Sequence, residues 1–335
     1  MGPSGLFVSV DVDSLDLYLS LYGKGGGGSG LGVGRETGTG WGTGTGTRSE
    51  AGEPASSPAT TGLAALTWEL GVTRFLDLFG ELGIPATLFT VGQDLSDPKA
   101  LAVAKQAVAA GHGLGNHTWS HPYRLIRLSD REAREEIFGG HEAIRTGVGS
   151  APIIFRAPGY NMTSREYAIL AELGYRFDSS PMPSYPYLMV KYAVLASMAV
   201  RGKKSGSIWG NPAGFLGPRR PYPRNGLTVL PCAATPILRL PVLGTSLSTA
   251  PEPLFRYMLA SLEKEPFVAL EFHAVDLMEL AGDRLPAPLA AQKDLHVPLA
   301  RKRERFKRFI GELAGRMGIW DSGPASSKSA SASQS

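Results

Sequence analysis

Short apolar runs alternate along the chain with segments whose apolar residues recur every three or four positions, predicting strands and helices in turn. Residues 6–10 read as a buried strand, 86–91 as a second and 113–116 as a third. Further strands are expected at 153–155, 175–177, 227–230, 237–240 and 267–272. Leu70, Phe75, Leu78, Phe79 and Leu82 mark one face of a helix over 68–82, which Gly83 stops with Pro85 beyond. Asp97-Pro98 caps and starts a helix that Gly111 ends. Ser129 with Glu132, and Thr163 with Glu166, have capping-box spacing, so helices follow to about Arg145 and to Gly174. Residues 253–263 and a basic amphipathic stretch over 297–317 complete the helices. This rhythm predicts an α/β fold with a mostly parallel sheet or barrel.

The pattern breaks at residue 23. Residues 23–62 are mostly Gly, Thr, Ser and Ala, too poor in apolar surface to offset their ordering entropy, and are expected to form a flexible insertion. The segment lacks a Gly-Lys-Ser/Thr ending, so it does not read as a phosphate loop. Residues 321–335 are Ser/Ala-rich and expected to be disordered, leaving 1–320 as one domain. With 43% hydrophobic residues in 335, a sizeable core is available. The single cysteine, Cys232, excludes a disulfide framework and a cysteine-based zinc cluster. A net charge of +4 suits an anionic substrate or membrane surface and gives no sign of dedicated nucleic-acid binding.

The first ten residues show neither a basic start nor a long apolar run, so a cytoplasmic location is expected, with peripheral contact at the inner membrane face as its variant. Residues 187–200 are apolar but short for a membrane span and interrupted by Lys191, so they read as a buried or interfacial helix. Arg201, Lys203, Lys204, Arg219, Arg220 and Arg224 follow, as a solvated edge or as a patch meeting anionic lipid.

In parallel α/β folds, sites collect beyond the carboxyl ends of the strands. Asp11 and Asp13 follow the first expected strand, His117 and His121 the third, Arg156 the fourth, Asp178 the fifth and His273 the last. Residues two apart on a strand point to one side, so Asp11 and Asp13 can enter one pocket, where like charges call for a cation or a proton. Asp16 lies near enough to stand in for either. His117 and His121 converge in a helical turn or a loop, and Pro122 directly after favours the loop. Two imidazoles and a carboxylate suit zinc with positions left open. His112 reads as a turn residue, His141 as a helix-surface residue and His296 as structural, while Glu271 and Asp276 read as parts of a solvated loop.

Asp11-Val-Asp13, Asn116-His117-Thr-Trp-Ser-His121-Pro, Phe155-Arg156-Ala-Pro-Gly159-Tyr160, Phe177-Asp178-Ser-Ser and Leu270-Glu-Phe-His273 occur in this order. The series resembles the polysaccharide deacetylase family, the NodB-homology domain of carbohydrate esterase family 4, in an Asp-x-Asp subgroup. The resemblance implies a distorted (β/α) barrel and metal-dependent removal of an N-acyl group, acetyl first, from an amino sugar of a polysaccharide or lipid-linked glycan. It makes Asp13, His117 and His121 ligands of one divalent metal, zinc foremost, with cobalt, nickel or manganese as substitutes. It makes Asp11 the base, His273 the acid, Arg156 the residue orienting the base and Asp178 the partner of His273. Tyr160, Trp119 and Pro158 would face the substrate. Val12 separates the two aspartates where many members have them adjacent, which leaves open which is base and which is ligand. The Arg-Ala-Pro-Gly-Tyr segment also departs from the family's Arg-x-Pro-x-Gly. Two other classes use the same residues: a glycan-binding module without chemistry, and a two-His-one-carboxylate iron oxygenase.

Overall fold

Residues Gly5–Val12 form β1, which pairs with a strand on either edge and is buried throughout. A strand enclosed in this way reads as a near-continuous apolar run. Ser9 and Asp11 interrupt that run, and both find buried partners. The computed structural model describes residues 2–22, 58–200 and 211–321. The insertion and tail read from the sequence lie outside these, except at their edges. Residues 58–62 belong to a helix, Pro58–Leu66, with Leu63 and Leu66 packed into a small apolar cluster.

The other strands are β2 (Thr87–Thr90), β3 (Gly113–Asn116), β4 (Ile154–Phe155), β5 (Phe177–Asp178), β6 (Tyr222–Arg224), β7 (Leu227–Val229) and β8 (Phe267–His273). They form one curled sheet in the order β6-β7-β5-β4-β3-β2-β1-β8, parallel except between β6 and β7. The chain after β7 returns along the free edge of β8 through bridges at Cys232–Ala269 and Leu243–Glu271. The sheet thereby curls toward a distorted barrel, as expected. Asp11 and His273 are register partners across β1 and β8, and Ser9 and Glu271 pair two residues earlier.

Helices α1 (Leu15–Tyr22), α2 (Pro58–Leu66), α3 (Thr73–Leu82), α4 (Pro98–Ala109), α5 (Asp130–Val148) and α6 (Ser164–Glu172) lie in the first half. Helices α7 (Tyr185–Val200), α8 (Ala213–Leu216), α9 (Gly244–Thr249), α10 (Glu252–Leu262) and α11 (Leu299–Met317) follow. The largest apolar cluster joins the sheet to α3, α4, α10 and α11, with Phe272 of β8 packed 5.4 Å from Phe75 and 4.9 Å from Phe306. Asp97 caps α4 through the amides of Lys99 and Ala100, and both expected capping boxes form. No helix among the described residues is long and apolar enough to cross a membrane.

Three local expectations are corrected. The helix over 68–82 is a π-helical turn, Thr67–Val72, followed by α3. There Gly71 lies so close to the backbone of Ala274, just beyond His273, that a Cβ would sit 2.9 Å from its carbonyl carbon. Residues 237–240 do not form a strand: the chain turns at 236–238, Ile237 and Leu238 face solvent and Arg239 adopts φ 52°. The strand β6 escapes sequence reading because it contains Pro223, which an edge strand tolerates. Asn225 and Gly226, both at positive φ, turn it into β7 as a hairpin. Of the six basic residues, Arg219 and Arg220 pair with Glu265, Arg224 lies over Tyr167, and the other three fall outside the described residues.

Gly140 of α5 lies against Asn116 and Thr118, and a Cβ there would come 2.7 Å from the Thr118 carbonyl carbon. Gly315 of α11 has nothing within 4 Å of its Cβ position. Gly140→Ala is therefore expected to destabilise by at least about 2 kcal/mol in denaturant titration, as overpacking against backbone does. Gly315→Ala should be neutral or stabilising by up to about 1 kcal/mol.

Candidate active site

The segment carrying His117 and His121 is a loop, as Pro122 suggested, and it is clamped on every side. Asn116 donates to the Ile137 carbonyl (2.9 Å) and to the Tyr175 hydroxyl (2.7 Å), while its own oxygen accepts from the Thr118 amide (2.8 Å). Glu136 accepts from the Ser120 amide (2.8 Å) and hydroxyl (2.6 Å). Thr118 and His121 sit at φ 68° and 59°, a left-handed conformation rare for residues other than glycine. This backbone curl brings both imidazoles to one side, with ring centroids 4.7 Å apart.

Asp13, just beyond β1, meets both rings: its Oδ1 lies 3.4 Å from His117 Nε2 and 3.4 Å from His121 Nε2. The ligand atoms of these three buried residues lie within 4.8 Å of one another. His117 Nδ1 is 2.7 Å from the Arg156 carbonyl, which can only accept, so Nδ1 carries a proton and Nε2 is the nitrogen turned toward Asp13. Asp13 Oδ1 is buried without a hydrogen bond. An unsatisfied carboxylate oxygen beside two imidazole nitrogens fits a divalent cation. Burial alone would raise the Asp13 carboxyl, but His121 and His117 hold it well below the ordinary carboxylate range. Burial pushes the His121 imidazole down to about 4, a neutral form suited to metal.

Asp11 lies beside this group, its Oδ2 3.8 Å from His117 Nε2. Its Oδ1 accepts from Arg156, a fully buried guanidinium that also donates to the Ser179 carbonyl (3.0 Å), the Ser179 hydroxyl (2.9 Å) and the Ser9 hydroxyl (3.0 Å). Burial raises the Asp11 carboxyl, and Arg156 opposes the rise. His273, at the end of β8, faces the group from the other side, with Nε2 4.0 Å from Asp13 Oδ2 and 3.9 Å from Glu271 Oε1. Burial lowers its pKa, but Asp13, Asp11, Glu271 and Asp276 more than offset this and raise it to about 9.

The five residues Asp11, Asp13, His117, His121 and His273 share one cavity of about 380 Å³. Tyr18, Tyr123, Tyr160, Tyr187 and Lys191 also line it. Asp178 does not reach it. That carboxylate is wholly buried, accepting from the Tyr167 hydroxyl (2.6 Å) and from the Ser180 amide (3.0 Å) and hydroxyl, and it forms no ion pair with His273. The expected pairing is therefore corrected: the carboxylates nearest His273 Nε2 are Asp13 and Glu271. Trp119 is also displaced, because its amide bonds to the Glu136 carbonyl and its ring lies over Gly92 and Gly139. Pro158 is buried outside the cavity lining, whereas Tyr160 lines it. Asp16 engages the Ser14 hydroxyl and stays out of the lining.

Glu271, expected in a solvated loop, is instead fully buried on β8, accepts from the Tyr160 hydroxyl (2.7 Å) and leaves Oε2 without a hydrogen bond among the described residues. Its signal was the period of the strand, since residues two apart share a face. Asp276 is buried as well, binding the His273 amide (2.7 Å) and the Thr245 hydroxyl (3.1 Å). His112 and His141 prove to be buried structural residues, against the Ala86 amide and the Tyr175 hydroxyl respectively. Tyr18, Tyr123 and Lys191 carried no sequence motif.

Residues 57–177 match the family model described as polysaccharide deacetylase. The chain is 29% identical over 134 residues to a peptidoglycan deacetylase of Helicobacter pylori, covering 40% of this chain and 44% of that one. It is 31% identical over 108 residues to a peptidoglycan-N-acetylglucosamine deacetylase of Bacillus cereus, covering 31% and 38%. These alignments thus span less than half of either curated relative. A solved Mycobacterium smegmatis structure, provisionally named a polysaccharide deacetylase, superposes with a TM-score of 0.53 at 17% identity, covering 98% of this chain and 91% of that one. The last similarity establishes the fold.

Two substitutions test the buried polar framework. Tyr167→Phe strands an oxygen of Asp178 and should cost about 1–3 kcal/mol in urea unfolding. Arg156→Met leaves Asp11 buried without its counter-ion and should cost about 3–5 kcal/mol. Unchanged midpoints would show that these groups are not buried as described.

Proposed function

We propose, on the premise that residues 57–177 belong to the polysaccharide deacetylase family, that this chain hydrolyses the N-acyl group of an amino sugar. The observation that carries the reading is the convergence of Asp13, His117 and His121 in one cavity, with Asp11 and His273 facing the same space. This donor set would hold one divalent cation, zinc first, with cobalt, nickel or manganese able to replace it. Bound there, the cation supplies a Lewis acid and lowers the pKa of water toward about 7.

The chain's own residues divide the proton traffic. Arg156 occupies Oδ1 of Asp11, so Oδ2 is the oxygen free to accept a proton from the attacking water. His273, kept protonated by the carboxylates around it, donates to the amine nitrogen as the carbon–nitrogen bond breaks. The water oxygen ends on the acyl carbon and leaves as a carboxylic acid, and the sugar keeps a free amine. Glu271 takes the orienting part that Asp178 cannot play. The rings of Tyr18, Tyr123, Tyr160 and Tyr187 offer apolar faces to a pyranose. The names of the Helicobacter and Bacillus relatives support an N-acetylated polysaccharide as substrate, with a lipid-linked glycan as the alternative.

His117→Ala and His121→Ala should each lose bound metal by elemental analysis and release no acetate from N-acetylated glycans. His273→Ala should retain metal and lose about 10²- to 10⁴-fold in kcat. A His117→Ala protein still fully active after chelation would sink the reading, and metal retention without acid release from any N-acyl glycan would favour a binding module.

The rate should also fall on the alkaline side, because His273 must be protonated and its proton is lost as pH rises through its pKa. Glu271 raises that pKa, so Glu271→Gln should move the alkaline fall to lower pH and reduce kcat more than it changes KM. An unmoved profile would remove Glu271 from the mechanism.

A further inference from the structure

Among the described residues lining the cavity, Lys191 is the lysine or arginine, and nothing in the proposed chemistry uses it. It rises from α7, one turn beyond Tyr187. The Tyr187 ring stacks on Phe215 (5.9 Å, 12°) and meets Tyr160 edge-on (5.6 Å), while the Tyr160 hydroxyl is tied to Glu271 on the strand of His273. This chain of contacts fixes the base of Lys191 relative to the reacting groups. Its Nζ lies 5.2 Å from the centre of the Phe215 ring and 3.4 Å from the Gly159 carbonyl. No carboxylate among the described residues pairs with it.

An ammonium has three donors, and among the described residues this one makes a single long hydrogen bond. It is half-buried, so part of its hydration is gone, and no counter-ion among the described residues replaces it. Burial accordingly lowers its pKa to about 8. A side chain in this condition gains most from an anion arriving with the ligand, where a charge-assisted contact forms at little cost in further ordering. Arg156, in contrast, is already committed to Asp11, Ser9 and Ser179.

We propose that Lys191 forms an oxyanion subsite of the cavity, taking a phosphate or carboxylate carried by the amino-sugar substrate. The inference rests on the deacetylase reading for the identity of that substrate, and it narrows the class to anionic N-acylated sugars. The Lys191 ammonium acts as a point charge on the substituent while the amide lies against Asp13, His117 and His121. It selects the substrate and takes no part in proton transfer.

Steady-state kinetics of the metal-loaded full chain tests this with one N-acetylated amino sugar in three forms: neutral, carboxylate-bearing and phosphate-bearing. At least one anionic form should exceed the neutral form by about 10-fold or more in kcat/KM, the range of a hydrogen bond to a charged group. Lys191→Met should erase that advantage, mainly through KM, and Lys191→Arg should restore most of it. The form that responds identifies which oxyanion the subsite takes. No anionic preference in the unsubstituted protein, or a preference that survives Lys191→Met, overturns the proposal. A second measurement needs no turnover: inorganic phosphate titrated into the metal-free chain should bind more weakly to Lys191→Met by about 5-fold or more. Equal binding to the two proteins overturns the subsite even if deacetylation is confirmed. Weakened binding in a protein that hydrolyses none of the three sugars would keep the subsite and reject the hydrolase.

Discussion

The buried guanidinium of Arg156 is the interaction on which the rest of the site depends. A positive charge with no solvent exposure must be matched within the fold or it destabilises it. Here Asp11 of β1 supplies the charge, Ser9 and Ser179 supply acceptors, and the face of Phe89 lies 4.1 Å beneath. The carbonyl of the same residue fixes the His117 tautomer. One residue at the end of β4 thus joins β1, β2, the chain after β5 and the histidine loop. The charge of Asp11 and the orientation of His117 lean on one anchor.

Around that anchor, the site is rigid where chemistry would occur and more open where a glycan would enter. The histidine loop is clamped by Asn116 and Glu136 and pressed by Gly140 of α5, so its left-handed residues have no room to relax. The outer wall is built from α1, α7 and the turn near residue 241, all reached through side chains and not through the sheet. Specificity can therefore vary on this wall without disturbing the ligand geometry.

Much of this was legible in the sequence because strand ends declare themselves. Asp11, Asp13, His117, His121, Arg156 and His273 each follow a short apolar run, and one cavity collects all but Arg156, which stands directly behind it. The helix caps at Asp97, Ser129 and Thr163 were equally plain, since capping is a matter of local spacing. What failed was orientation. A strand of two residues, such as β5, gives no alternation from which to decide where Asp178 points, and the decision fell to Tyr167 and Ser180. Trp119 was misplaced because its direction depends on the positive φ of Thr118, which no propensity announces. Glu271 was passed over although it lies inside the expected strand 267–272, because a single acidic residue near a strand end reads as the start of a solvated loop.

The pairing of Asp11 with His273 across β1 and β8 has a consequence for how such a centre could adapt. Neighbouring strands stand about 4.8 Å apart, a spacing set by backbone hydrogen bonds and indifferent to side chains. The backbone span beneath the two groups that would give and take protons is therefore a lattice constant of the sheet. No hinge, lid or ligand can widen it without tearing the ladder. Reactants that differ in bulk must accommodate themselves to a fixed gauge, and diversification is left to the surroundings.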